Sequence, residues 1–226
     1  MIPWVHLGST TMPGGGGELR LMRRGAEYSI MSGSTELMNS RASGSEQALA
    51  TLSCERIGGR PAPRLLIGGL GMGFTLRAAL ESLGPDAKVT VAELAPGVIA
   101  WARGPMAEVF ADCLDDPRVE LMEADVGALI RSGRGSYDAI LLDVDNGPEG
   151  LSHQGNDRLY DMEGLRAART ALRPGGVLAV WSSAPSEAFT RRLGRAGYAV
   201  ETVRVRANGA RGARYIVWIG TAPGSG

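Results

Sequence analysis

The stretch LLIGGLGMGFTLRAAL, residues 65–80, begins as an apolar run, breaks into glycines at alternate positions and then takes up a helical spacing. An apolar run of this length ended by glycines reads as a buried strand, and the pattern after it predicts a helix opening near Phe74. Gly69, Gly71 and Gly73 permit the tight strand-to-helix turn and leave main chain bare where a ligand can lie against it. The dinucleotide version of such a turn, G-x-G-x-x-G or G-x-G-x-x-A, needs a small residue where this chain has Phe74, which disfavours a nicotinamide cofactor.

Outward from the turn, strand and helix alternate. After the breaker cluster GGRPAP at 58–63, strands are predicted at 64–68, 88–93, 118–122, 137–143, 175–182, 198–206 and 213–220. Helices are predicted at 73–83, 96–114, 125–132, 158–172 and 185–196. The last two strands flank NGARG with too little chain for a crossover helix, so they must form an antiparallel hairpin. The expected fold is α/β: a Rossmann-like, doubly wound, seven-stranded sheet with a C-terminal antiparallel hairpin, of the class I methyltransferase type. Ahead of it, ELRLMRR, AEYSIM and TELMNS read as a small β-meander. SGSEQALATLSCERI follows as a linking helix, with Ser43 and Glu46 spaced as a capping box. Residues 1–17, ending in PGGGG, read as a flexible arm. The expected organisation is an arm over 1–17, a β-rich cap with its helix over 18–57, and the main domain over 58–226.

Three acids fall at the carboxyl ends of predicted strands: Glu93 after the second, Asp125 after the third and Asp143 after the fourth. A carboxylate at the Glu93 position can accept hydrogen bonds from both ribose hydroxyls, and one at Asp125 can accept a hydrogen bond from an adenine amino group, although Asp125 alone would also serve as a helix N-cap. Together with a G-x-G-x-G turn, which offers no dedicated pyrophosphate site, they point to an adenosyl sulfonium such as S-adenosylmethionine.

Lys plus Arg and Asp plus Glu number 24 each, so no global field draws in nucleic acid or an anionic membrane. The expected partner is a small molecule. Cys54 and Cys113 lie far apart without metal-ligand spacing, and no metal is expected. Neither an export signal nor an apolar run of membrane-spanning length occurs in the chain, which suits a reducing cytoplasm. Arg204, Arg206, Arg211 and Arg214 give the final hairpin a basic face that suits a partner subunit or a soluble sheet edge.

These motifs resemble the spermidine synthase family of polyamine aminopropyltransferases over about residues 18–220. LLIGGLGMGFTLRAAL is similar to that family's glycine motif, VTVAELAPGVIAWAR to its second strand and helix, and DPRVELMEAD and YDAILLDVDNGPEGL to its third and fourth strand ends. ALRPGGVLAVW is similar to its fifth. The resemblance implies a cytoplasmic homodimeric transferase, with S-adenosylmethionine or its decarboxylated form as co-substrate and a small-molecule amine as acceptor. It implies a donor site of Gly69, Gly71, Met72, Gly73, Glu93, Leu94, Asp125, Val126 and Asp143, with Asp143, Asn146 and Tyr160 at the acceptor.

Departures from the family pattern shape the expected reaction. Met72 stands where the family's glycine turn carries an aspartate, SEQALAT replaces its acidic and aromatic acceptor stretch and keeps Glu46, and Asn146 stands where it has a second aspartate. Losing acids disfavours a doubly charged diamine, and Met72 leaves room for the carboxylate of intact S-adenosylmethionine. The sequence therefore places methyl transfer ahead of aminopropyl transfer, with a silent nucleoside-binding scaffold as the reading of another class. The glycine-dotted stretch 143–161 suits a lid, on which His153, Asp157 and Tyr160 are acceptor candidates. Trp181 ends the fifth strand as a packing residue or a pocket wall.

Overall fold

The computed structural model describes residues 2–15, 17–144, 147–148, 157–208 and 211–224. The first sheet is formed by β1 (Val5–Thr11), β2 (Glu18–Arg24), β3 (Glu27–Ser32) and β4 (Thr35–Asn39), antiparallel and in chain order. The stretch expected as a flexible arm thus supplies a strand. Thr11 pairs with Glu18 and Val5 with Arg23, so the glycine run is the loop of a hairpin. VHLGSTT had the alternation and β-branched content of an edge strand, and the glycines beside it masked that signal. Thr10 of β1 sits where a Cβ on Gly97 would clash, which locks the strand onto the helix that begins there.

The linking helix α1 (Gly44–Arg56) follows. Its capping box does not form. Ser43 occupies the N-cap without a side-chain bond, and Glu46 instead turns inward, with Ser45 Oγ donating to its carboxylate at 2.5 Å.

The main sheet then builds from β5 (Arg64–Gly68), α2 (Phe74–Ser82), β6 (Lys88–Glu93), α3 (Pro96–Arg103), α4 (Ala107–Phe110), β7 (Val119–Glu123), α5 (Val126–Ser132) and β8 (Tyr137–Leu142). It closes through α6 (Asp157–Tyr160), α7 (Met162–Ala171), β9 (Leu172–Ser182), α8 (Glu187–Arg195), β10 (Ala199–Asn208) and β11 (Arg211–Thr221). The seven strands lie in the order β10-β11-β9-β8-β5-β6-β7, with β5 to β9 parallel and β11 antiparallel to both neighbours. Two predicted helices are broken. The one expected over 96–114 stops at Gly104, before a proline that cannot continue the ladder. The one expected over 158–172 restarts at Asp161, whose carboxylate caps α7 through Gly164 N at 2.8 Å.

Because both faces of the central parallel strands are covered, the interiors of β5 and β8 are apolar runs, whereas the edge strand β7 alternates and exposes Glu120 and Glu123. Leu65, Ile67, Ala139 and Leu141 face α1, α2 and the small sheet, while Leu66, Ile140 and Leu142 face α7 and α8, with Phe189 and Trp218. Each such buried leucine or isoleucine contributes about 1.5–3 kcal/mol relative to exposure. The chain leaves β5 for β6 and β7 on one side, then returns to place β8 and β9 on the other. The crevice where the direction reverses opens between the ends of β5 and β8, the position at which sheets of this kind bind ligands.

Candidate active site

Gly69 lies immediately after β5 and Asp143 immediately after β8, and the two meet at that crevice. Asp143 N donates to Gly68 O at 3.0 Å, and a Cβ on Gly69, whose φ is +91°, would run into the Asp143 carbonyl oxygen. Gly73 takes φ +75° as the N-cap of α2, and a Cβ there would stand 2.6 Å from the Phe110 ring. The glycines at 69 and 73 are therefore required by the protein's own close packing. Gly71 lines the cleft beneath Met38 Sδ of β4, and the atoms nearest to a Cβ there belong to that flexible side chain.

A cavity of about 170 Å³ lies between the carboxyl edge of the main sheet and the small sheet. Gly69, Gly71, Met72, Glu93, Leu94, Asp125, Val126 and Asp143, eight of the nine expected donor residues, line it; Gly73 does not. The small sheet supplies a wall that the sequence reading missed: Met12 beyond β1, Leu19, Ile30, Leu37 and Met38. Their alternation along short strands was visible, but nothing in a single sequence says which element a strand face will cover.

The acids differ in setting. Glu93 is 8% exposed and orders the turn: Oε2 accepts from Leu70 N at 3.0 Å and Oε1 from Ala95 N at 2.8 Å. Burial raises its pKa while these backbone donors pull it down. Asp125 combines both roles weighed for it. Its Oδ1 caps α5 through Gly127 N at 2.8 Å, its Oδ2 meets Arg131 at 3.2 Å, and it lines the cavity.

Asp143 is held differently. Thr75, in the first turn of α2, donates its hydroxyl to Asp143 Oδ2 at 2.6 Å. Burial, then the charge of Glu46, push the Asp143 carboxyl up to about 7, and the Thr75 bond opposes them. Burial also raises Glu46. Two carboxyls whose charges repel titrate as a pair, so ionisation of one holds the proton more tightly on the other. Thr75 had no motif to announce it, since a threonine in a first helical turn is common.

Trp181, at the end of β9, is both packing residue and pocket wall. It stacks on Tyr215 with centroids 5.0 Å apart and lines the cavity beside Glu46 and Asp143. Among the described residues its indole Nε1 is a buried donor left without an acceptor, an omission that costs about 1–3 kcal/mol. Tyr160 is not at the site: it is 2% exposed in the core beneath α8, edge-on to Phe189 at 5.8 Å. Its hydroxyl donates to Val144 O at 3.3 Å, so it anchors the chain just beyond β8. Asn146 and His153, and with them most of the expected lid, lie outside the described residues, as does the Asp157 side chain. Among the described residues no group of acids, histidines and cysteines could hold a metal ion, and no helix is long and apolar enough to cross a membrane.

Comparison with known proteins agrees with this layout. Residues 48–189, more than half of the chain, match the model of the spermine/spermidine synthase domain. A polyamine aminopropyltransferase of Streptomyces coelicolor is 31% identical over 153 residues, covering 64% of this chain and 28% of that protein. One of Nitrosomonas europaea is 35% identical over 127 residues, covering 56% of this chain and 37% of that protein. The matched segments thus span between about a quarter and two fifths of these curated relatives. A spermidine synthase solved in complex with the transition-state analogue AdoDATO superposes with a TM-score of 0.75 at 18% identity, over 96% of this chain and 72% of that one. The spermidine synthase of Thermotoga maritima gives 0.73 at 17% identity, with the same coverages. At these identities the two structures speak for the fold, and the domain match carries the conclusion that this chain belongs to the spermine/spermidine synthase family.

Proposed function

We propose that this protein transfers an aminopropyl group from decarboxylated S-adenosylmethionine to an amine. The carrying observation is the charge of the cavity wall. Among the described residues it holds four carboxylates, Glu46, Glu93, Asp125 and Asp143, and no lysine or arginine. Such a wall suits a donor whose tail ends in an ammonium and leaves the carboxylate of intact S-adenosylmethionine without a cationic partner. The methyl transfer favoured on sequence rested on Met72 making room for that carboxylate; room without a counter-charge does not hold it. The curated relatives quoted above are aminopropyltransferases, which supports the same reading.

The donor's sulfonium supplies a leaving group, so the protein has only to position and to manage charge. Glu93 and the turn at Gly69 to Met72 hold the nucleoside, with Asp125 at its base. The amine lone pair forms the new N–C bond as the C–S bond breaks and its electron pair passes to sulfur, which leaves neutral methylthioadenosine. The nitrogen becomes cationic in that step. Asp143, held by Thr75 at the end of β8, stabilises the growing charge and receives the proton, which then passes to water.

The test is an assay of methylthioadenosine and alkylated amine with each donor in turn. Product with the decarboxylated donor and none with intact S-adenosylmethionine is the expected result; methylated product from the intact donor would overturn it. In the Asp143→Asn protein donor binding should persist while turnover falls by at least a hundredfold. A chain that binds donor without turning over any amine would instead be a nucleoside-binding scaffold.

A further inference from the structure

We infer that the Met38 thioether selects the donor by its charge: Met38 Sδ meets the donor's sulfonium and favours that cation over the neutral thioether product at the same site. The inference rests on the transferase reading above in needing an adenosyl sulfonium as donor, whichever alkyl group is transferred.

The order of the strands sets where that sulfur lies. At the carboxyl edge of the main sheet the neighbours run β8-β5-β6-β7, and Asp143, the glycine turn, Glu93 and Asp125 stand beyond their ends in that order. Neighbouring strands are about 4.8 Å apart, close to the step from base to ribose and from ribose to the 5′ sulfur of an adenosyl group. With the base at Asp125 and the ribose at Glu93, the sulfur falls over the end of β5, at Gly69 to Gly71. The acceptor at Asp143 is then one strand further on.

Met38 covers that point. A Cβ on Gly71 would stand 3.3 Å from Met38 Sδ and 3.8 Å from the terminal methyl. Met12 and Met72 also line the cavity, but of the three sulfurs it is that of Met38 that lies over Gly71. An irregularity in the small sheet aims it there. Ile30 pairs with Met38 but Met31 pairs with Glu36, so the register slips by one residue and leaves Leu37 over. Successive side chains of a regular strand point to opposite faces, whereas Leu37 and Met38 both line the cavity. The slip is held on one side by the buried Ile30 and on the other by Glu36, which accepts from Asn39 and Arg41.

A thioether sulfur is polarizable, uncharged and a weak acceptor through its lone pairs. Those lone pairs attract a sulfonium and have only ordinary packing to offer the neutral sulfur of methylthioadenosine. The positive charge leaves the donor sulfur as the C–S bond breaks, so the contact is strongest before the reaction and weakest after it. Met38 therefore acts on donor affinity and on product release, and its loss does not slow the chemical step.

The experiment is calorimetry of the full-length protein and its Met38→Leu variant with decarboxylated S-adenosylmethionine and with methylthioadenosine. Leucine keeps the volume and apolar character and removes the sulfur. Donor affinity is expected to fall by at least about fivefold, equivalent to about 1 kcal/mol, while methylthioadenosine affinity changes by less than about twofold. Met38→Ile, whose branched side chain suits a strand, should show the same split. In turnover, donor KM should rise without a fall in kcat, and methylthioadenosine should inhibit more strongly relative to donor. Equal losses for the two compounds, or no loss for either, would overturn the assignment and leave the transferase reading standing. If the unaltered protein binds intact S-adenosylmethionine in place of the decarboxylated donor, the aminopropyl reading fails and the same comparison with that sulfonium decides the role of Met38. Binding of neither sulfonium, with the protein folded by circular dichroism, would overturn both.

Discussion

The Thr75 hydroxyl lies 2.6 Å from Asp143 Oδ2 and 3.4 Å from the Glu46 carbonyl oxygen, at the meeting of α2, β8 and α1. One hydroxyl has one proton, and the shorter contact to the carboxylate takes it. The bond favours the ionised form of Asp143 against the burial that opposes ionisation. Replacing Thr75 by valine keeps the shape and removes the donor. The carboxyl should then hold its proton to higher pH, and the acid limb of the kcat/KM profile should move up by about one pH unit. A limb that stays in place would show that Asp143 is not the group whose ionisation limits the reaction.

The same displacement gives a signature in stability. A carboxyl whose pKa is raised in the folded protein binds more protons folded than unfolded, so its contribution is full below the unfolded value of about 3.9 and is lost as pH rises through about 7. The Asp143→Asn protein carries a permanently neutral group of similar shape and lacks this dependence. Its melting temperature, measured against the unaltered protein, should gain steadily between about pH 4 and pH 7 and level off above. A constant difference across that window would place Asp143 in contact with water.

How far the chain announced this arrangement depends on the kind of signal each part needed. The parallel strands were legible because continuous apolar runs ended by glycine or acid have few other readings, and Glu93, Asp125 and Asp143 fell at strand ends as a consequence. β1 was hidden by the glycines beside it, since a run that is entropically loose in isolation becomes a hairpin loop once Thr11 pairs with Glu18. Glu46 had two readings, a capping-box partner and a surviving acid of the acceptor stretch, and only the packing of α1 against the crevice decides for the second by turning its carboxylate into the cavity. Tyr160 followed family likeness onto a lid, whereas its ring found the Phe189 edge and the core.

Gly71 and Gly73 should separate on mutation although both have positive φ. At Gly73 an added methyl meets left-handed backbone, φ +75°, and the Phe110 ring at 2.6 Å. Gly73→Ala is expected to cost about 2–4 kcal/mol in urea unfolding. At Gly71 the nearest atom is Met38 Sδ at 3.3 Å, the end of a flexible side chain, so the strain is nearer 1–2 kcal/mol. The methyl of Gly71→Ala enters the cavity, and donor affinity measured by calorimetry should fall by at least tenfold. Equal donor affinity in the alanine variant and the unaltered protein would remove Gly71 from the binding surface.

At the opposite edge of the sheet, Asp138 tests whether the scaffold and the site are energetically separate. It is 1% exposed at the start of β8, and its carboxylate accepts from Arg60 Nη1 at 2.7 Å, Arg64 N at 2.8 Å and Arg173 Nη1 at 2.9 Å. These three bonds tie the entry of β5 and the entry of β9 to β8. Asp138→Ala would leave a backbone donor unpaired and two guanidinium groups facing each other, and because both arginines keep some contact with water the cost should be about 2–4 kcal/mol. Asparagine preserves the shape but turns one acceptor into a donor aimed at an arginine, so it should recover less than half of that loss. Both variants should lower the urea midpoint with an unchanged slope, and in the folded fraction bind donor as tightly as the unaltered protein. A parallel loss of donor affinity would mean that the β8 register set at Asp138 is transmitted along the strand to Asp143, joining the two ends of the sheet in one energetic unit.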